Sequence, residues 1–362
     1  MMSPCFASTE EIQTAISPKL QNFIDNLEPQ TELLQGGAIA ILYKGQVVYK
    51  KTFGHQRGNA GPMITSSTLF PLASGSKPVS AMALALMAEN GTINFDTNIK
   101  LPYLKTTVSL KNILSHTTGY QFPGNAQIER GMPRQKLLET LKHQKPKYKP
   151  GERYSYSNTT FSLVEEVLNN KNSSLQVAIQ NLRTVLKTNG IQIIPIDPNM
   201  DIAYPHFKDK RRKNNPAKLL PFPRYYPKTV PAAAGVFASI DGMIEFFKLS
   251  FGYRPDLISQ KTLDYLYTPV ITNHFIDRWK KYIGWPYSRN KIKSYYGLGW
   301  RILKNDNYHE KDLIFHSGHI SGINSFIGFI PAEEVGIIIL VNQNSRFPIQ
   351  SGLSFWGELL KT

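Results

Sequence analysis

Six residues near the end of the chain, Gly336-Ile-Ile-Ile-Leu-Val341, are apolar without a break. Such a run fits a central strand, buried on both faces and flanked by a neighbour on each side. The chain must therefore supply further strands around it. Candidates lie at both ends and not in the middle. Gly37–Tyr43 and Gln46–Phe53 read as strands joined by a Lys44-Gly45 hairpin. Tyr296–Leu303, Asp312–His316, Asn324–Ile330 and Val335–Val341 read as strands near the other end. Residues 92–230 carry short helical patterns instead: Ser109–Leu114, Pro133–Lys142, Thr160–Asn169 and Leu175–Thr188, with long links rich in Pro, Asn and Lys. The stretch Asn189–Thr229 has little periodicity. Helices are expected at Thr9–Leu27, capped by Thr9, at the segment ending in Leu249, and at Gln350–Leu360. The fold class is thus α/β, in the α+β sense. Residues 8–73 and 230–362 form one discontinuous subdomain, and 74–229 form a mainly helical one inserted into it.

At 362 residues and 41% hydrophobic content, the chain can bury a sizeable core. It has no apolar run of about 18 residues, the length a membrane-spanning helix requires. Its formal charge is +16, part of it in Lys208-Asp-Lys-Arg-Arg-Lys213 with Lys218 nearby. No nucleic-acid module accompanies that basic run, so no nucleic-acid partner is expected. The excess charge implies weak attraction to anionic surfaces, such as a membrane or a cell-wall polymer. One cysteine, Cys5, excludes an intrachain disulfide. Cys5-Phe6-Ala7 before Ser8 resembles the end of a signal cleavage site, which points to a periplasmic or secreted protein. An ordinary unstructured N-terminus is the alternative reading.

Three short motifs carry chemistry. The first is Ser74-Gly-Ser-Lys77. Three residues are nearly one helical turn, so both side chains share a face at the head of the apolar helix that runs toward Asn90. A lysine whose pKa is lowered by burial could take the serine proton. A serine cap beside a surface lysine is the plainer reading. The second motif, Tyr156-Ser-Asn158, follows the Pro150-Gly151 turn. A tyrosine hydroxyl beside a lysine can move protons, and an asparagine can hold a lysine and a substrate amide. The plainer reading has the tyrosine anchoring the loop and Asn158 or Thr159 capping a helix. The third, His316-Ser317-Gly318, would place a histidine and a serine at a cleft edge, with Gly318 permitting close approach of a substrate. His316 could equally be a core histidine.

Taken in this order, the three motifs resemble the serine β-lactamase and penicillin-binding-protein superfamily. The resemblance is nearest to class C β-lactamases and their DD-peptidase and family VIII esterase relatives. Ile113–Gly119, Ala234–Ser239, Tyr296–Trp300 and Phe329–Gly336 add to it. The resemblance implies a β-lactamase/transpeptidase-like fold, an antiparallel sheet flanked by helices, with Ser74 in the groove between the subdomains. It further implies a serine hydrolase acting through a covalent acyl-enzyme on β-lactam, peptide or ester carbonyls. A class C-like β-lactamase is the first reading. A D-Ala-D-Ala carboxypeptidase, D-aminopeptidase or family VIII-type esterase is the alternative, and a non-catalytic cell-wall-binding protein the last. Carried over, Ser74 is the nucleophile, Lys77 the adjacent base, Tyr156 the general base and acid, and Asn158 the group positioning Lys77 and substrate. The Ser74 N–H and that of His319 or Ile320 would form an oxyanion hole. Ser317, Gly318, His319 and Asn324 would face the substrate, and Gln121 would contact its amide. Class C enzymes carry Lys-Thr-Gly where this chain has His316-Ser317-Gly318. Histidine is charged only part of the time near neutrality, and if the substrate carries a carboxylate, a protonated His316 is expected to help hold it. No metal or cofactor is implied. The expected partner is a small-molecule or cell-wall peptide substrate, and the expected state a monomer.

Overall fold

The computed structural model describes residues 18–193, 200–209, 211, 215–279, 282–283, 292–306 and 311–360. Helix α1 (Pro18–Thr31) leads into strands β1 (Gly36–Tyr43) and β2 (Gln46–Gly54). The expected helix ended at Leu27; it continues to Thr31, and its expected start at Thr9 lies outside the described residues. Lys44 (φ 46°) and Gly45 (φ 74°) make the hairpin turn. Two successive positive φ values are what a two-residue turn needs to match strand twist. The remaining strands of this main sheet are β3 (Ile271–Thr272), β4 (Ile292–Tyr296), β5 (Arg301–Asn305), β6 (Leu313–Ile320), β7 (Ile323–Ile330) and β8 (Val335–Val341). Their order in the sheet is β2-β1-β8-β7-β6-β5-β4-β3, antiparallel throughout. The apolar run 336–341 lies in β8, with β1 and β7 on its two sides, in register from Gly37↔Val341 to Tyr43↔Val335.

Period-two alternation sorts the side chains of β1 and β8 into two cores. Ile39, Ile41, Ile337 and Ile339 pack with Leu20 and Phe23 of α1 and with Leu353 and Trp356 of the last helix, Phe347–Leu360. Ala38, Ala40, Ile338 and Leu340 face the opposite way and join the helices of the middle of the chain. That second core surrounds helix α2 (Ser76–Glu89), whose residues 76–85 are all buried. A helix with no solvated side is held by contacts all round.

Two expected elements are broken in the structure. Thr160–Asn169 is two short helices, Asn158–Phe161 and Val164–Asn169. Tyr296–Leu303, expected as one strand, is divided by a turn at Gly297–Trp300 between β4 and β5. Its cause is Gly299, whose φ of +80° favours glycine. A Cβ at Gly299 would lie 2.8 Å from the Lys77 carbonyl oxygen and 2.8 Å from the Ala81 Cβ. The turn therefore seats directly on the backbone of α2 beside Lys77.

Gly299→Ala should combine left-handed backbone strain, about 1–2 kcal/mol, with that collision. We expect a lower urea midpoint than wild type with an unchanged m-value. An unaltered midpoint would show that the turn does not fix α2.

Candidate active site

Ser74 sits in a 3-10 turn, Ala73–Gly75, that feeds α2. Ala73 has φ +49°, a costly conformation for a residue with a Cβ. Ser74 is part-exposed while residues 71–73 and 75–85 are buried, so the hydroxyl is the accessible point of a packed segment. Lys77, one turn on, has no exposed surface. Its Nζ lies 3.2 Å from Ser74 Oγ and donates to Asn158 Oδ1 at 2.7 Å and to the Ala233 carbonyl at 2.9 Å. Burial, aided by the Arg301 charge, holds the Lys77 pKa well below its ordinary 10.5.

The Tyr156 hydroxyl donates to Ser74 Oγ at 2.8 Å. Burial pushes the Tyr156 pKa up to about 12, although Arg301 and the Ser74 bond oppose it. At neutral pH the phenol keeps its proton. Asn158 does not cap the following helix; Ser157 does, accepting from Thr160 N at 3.0 Å. That frees the Asn158 side chain to span Lys77 and Asn125, whose Oδ1 accepts from Asn158 Nδ2 at 2.9 Å.

Strand β6 forms the opposite wall. Its pairing with β5 stops at Arg301↔Phe315, whereas its pairing with β7 runs on to Ile320↔Ile323. Residues 316–320 are thus a free edge. Gly318 presses on the Ser74 turn: a Cβ there would lie 2.0 Å from the Leu72 carbonyl oxygen and 3.1 Å from Gly75 N. Ile320 and Ile323 flank the two-residue turn Ser321-Gly322, so they are a hydrogen-bonded pair, and alternation commits Ile320, Gly318 and His316 to β7. The N–H groups of Ser317 and His319 then point to the free edge. Of the two expected candidates, His319 and not Ile320 is the one whose N–H faces the edge beside Ser74.

His316 is not at the cleft edge. It is fully buried, with Nε2 2.9 Å from the Tyr296 hydroxyl and Nδ1 2.9 Å from the Ser317 carbonyl. Burial first, then the charges of Arg301 and Lys77, hold its pKa well below 6.5. The expectation of a charged carboxylate holder is corrected: the ring is neutral and enclosed. The reason is strand alternation, which turns His316 inward while Ser317 and His319 line the clefts. Asn324 is also mostly buried. Its Oδ1 pairs with His319 Nδ1 at 2.9 Å and its Nδ2 donates to the Gln343 carbonyl at 2.8 Å, so it orients His319. Gln121 is exposed and not among the residues lining the Ser74 cleft; Asn125, Glu129 and Tyr226 are.

Arg301 is the main residue the sequence reading missed. It is 9% exposed, and its guanidinium lies 4.0 Å from the Phe275 ring centroid, 5.3 Å from Tyr156 and 5.5 Å from Tyr296. No described carboxylate pairs with it. It immediately follows the Tyr296–Trp300 stretch, but its inward direction comes from the β5 register alone. His116, within the Ile113–Gly119 stretch, is a second. Its ring centroid lies 4.3 Å from that of Tyr156, tilted by 38°, and Ser157 N donates to its Nδ1 at 3.2 Å. Burial and the neighbouring cations hold it neutral too.

Residues 23–352 match the family model described as Beta-lactamase. Protein flp of Staphylococcus aureus (strain MRSA252) is 23% identical over 338 residues, covering 87% of this chain. The chain spans 60% of that relative's length. The octameric penicillin-binding protein homologue from Pyrococcus abyssi superposes with a TM-score of 0.75 at 21% identity, over 94% of this chain and 77% of that one. A class C beta lactamase superposes with a TM-score of 0.72 at 18% identity, over 98% and 99%. These likenesses are to the β-lactamase/transpeptidase fold.

Because the folded pKa of His316 is depressed, the unfolded chain takes up its proton first as pH falls below 6.5. The stability contributed by the neutral ring is complete above that value and is lost on acidification. Ring nitrogen shifts in labelled protein should show His316 titrating well below 6.5. A midpoint near 6.5 would contradict the buried assignment.

Proposed function

This chain belongs to the beta-lactamase family, and from that premise we propose that it is a serine hydrolase working through an acyl-enzyme on Ser74. One observation supports this above the others: a part-exposed serine oxygen lies 3.2 Å from a buried lysine amine and 2.8 Å from a tyrosine hydroxyl. A surface serine used only as a cap has no need of either.

The two pKa directions divide the work. Lys77, depressed, is the base: its neutral amine takes the Ser74 proton as Oγ attacks the carbonyl carbon. Tyr156, still protonated, is the acid: it donates to the departing nitrogen or oxygen as that bond breaks. The Lys77 ammonium then returns its proton to the phenolate. Water attacks the ester by the same transfers in reverse and restores Ser74. The N–H groups of Ser74 and His319 receive the carbonyl oxygen while it is negative. Arg301 adds a fixed positive charge that favours both the oxyanion and the transient phenolate. In this chain the neutral His316 cannot supply that charge, and Arg301 does so from the next strand. Amides, lactams and esters all present the required carbonyl.

A fluorophosphonate probe and a penicillin should each add one equivalent of mass to the wild type and none to Ser74→Ala. Tyr156→Phe should slow acylation by about 100-fold or more. An adduct retained on Ser74→Ala would place the nucleophile elsewhere. Arg301→Gln should slow acylation as well, and its His316 should titrate at higher pH than in wild type. An unchanged rate would remove Arg301 from the mechanism.

A further inference from the structure

The Ser74 cleft, about 520 Å³, holds one carboxylate among its lining residues, that of Glu129. This stands out in a chain of net charge +16. Among the described residues no lysine, arginine or histidine lies within ion-pair distance of it. Its hydrogen-bond partner among them is neutral: the Tyr226 hydroxyl, on a side chain 7% exposed, donates to Oε1 at 2.8 Å. Glu129 is itself exposed to the cleft.

Its position is fixed by the same segment that carries Tyr156 and Asn158. The short helix Asn125–Glu129 is tied down by Ser157 Oγ donating to the Phe122 carbonyl at 2.6 Å and Thr159 Oγ1 donating to the Pro123 carbonyl at 3.0 Å. Gly124 sits so close that a Cβ there would lie 2.2 Å from Thr159 Oγ1. Asn125 and Glu129 are four residues apart and share a helix face. Asn125 bonds to Asn158, and Glu129 reaches the cleft beyond it.

The other end of the site has the opposite character. A second cleft of about 620 Å³ is lined by Arg278, Arg346 and Trp279 and, among the described residues, by no acid, and it shares His319 and Asn344 with the first. A ligand crossing His319 therefore passes from a negative to a positive environment.

We propose that Glu129 is a specificity residue that receives a protonated amine on the acyl part of the substrate. The preferred substrates are then aminoacyl amides, lactams or esters with a free ammonium group. This inference rests on the acyl-enzyme reading of Ser74. An ammonium there would gain a charge-assisted hydrogen bond to a carboxylate already oriented by Tyr226. An uncharged acyl group would gain nothing from Glu129.

Two pairs of compounds differ mainly in that amine: ampicillin against benzylpenicillin, and D-alanine p-nitroanilide against its N-acetyl form. We would measure second-order acylation rates by intact mass for the penicillins and kcat/KM for the anilides. Wild type should favour the amine-bearing member by about tenfold, near the 1.4 kcal/mol of one such decade. Glu129→Gln keeps the shape and should bring the ratio close to one, and Glu129→Lys should invert it. Equal ratios in wild type and Glu129→Gln would overturn the proposal while leaving acylation at Ser74 intact. No adduct and no turnover with any of the four compounds would overturn the Ser74 reading and the proposal with it.

Discussion

The site depends on one buried amine. Lys77 Nζ meets Ser74 Oγ, Asn158 Oδ1 and the Ala233 carbonyl, which come from three separate stretches of the chain. A lysine without exposed surface is costly unless its hydrogens are matched and its charge is suppressed. Here both conditions hold, and they specify the surroundings. Asn158 must be free of capping, so Ser157 caps. Ala233 must be brought to α2, which the Val236 N to Ser76 Oγ bond (2.9 Å) and the Ser80 Oγ to Ala232 carbonyl bond (3.0 Å) secure. The Gly299 turn must lie on the Lys77 backbone, which requires a residue with no Cβ.

Charge around this amine is arranged as positive with neutral fillers. Arg301 and Lys77 are enclosed with Tyr154, Tyr156, Tyr296, His116 and His316, and none of the described acids pairs with either cation. Each aromatic group is driven toward its neutral form: the tyrosine pKa values rise and the histidine values fall. Like charges in one buried cluster raise the cost of a further proton. Burial first, and the Arg301 charge second, make Lys77 the group that gives way. A developing negative charge at the reacting carbonyl would be the missing counter-charge of the cluster.

What could be read from the sequence was what short spacing decides. Ser74 and Lys77 meet because they are one turn apart. Tyr156 and Asn158 lie on either side of the capping residue Ser157, two positions apart at the head of a helix, and both reach the same site. The central strand 336–341 and the hairpin at Lys44-Gly45 follow from composition over a few residues. Contacts fixed by register between distant strands were not legible. Arg301 turns inward because it pairs with Phe315 and Tyr296. His316 had two readings, cleft edge or core, because a lone histidine on a strand gives no sign of which face is buried; its ring is in the core. Gln121 lay on the correct loop, but the chain turns at Gly124 and presents Asn125 and Glu129 instead. The Gly297–Trp300 turn was hidden inside an apolar pattern that resembled a continuous strand.

The state of Lys77 is the most direct test of this account. Its titration can be followed by carbon and nitrogen NMR in protein labelled at the lysine side chains, with Lys77→Arg supplying the assignment. The midpoint should lie well below the ordinary 10.5, leaving the amine able to take the Ser74 proton. A midpoint at or above 10.5 would mean a permanent ammonium beside Ser74, and Lys77 could not be the base.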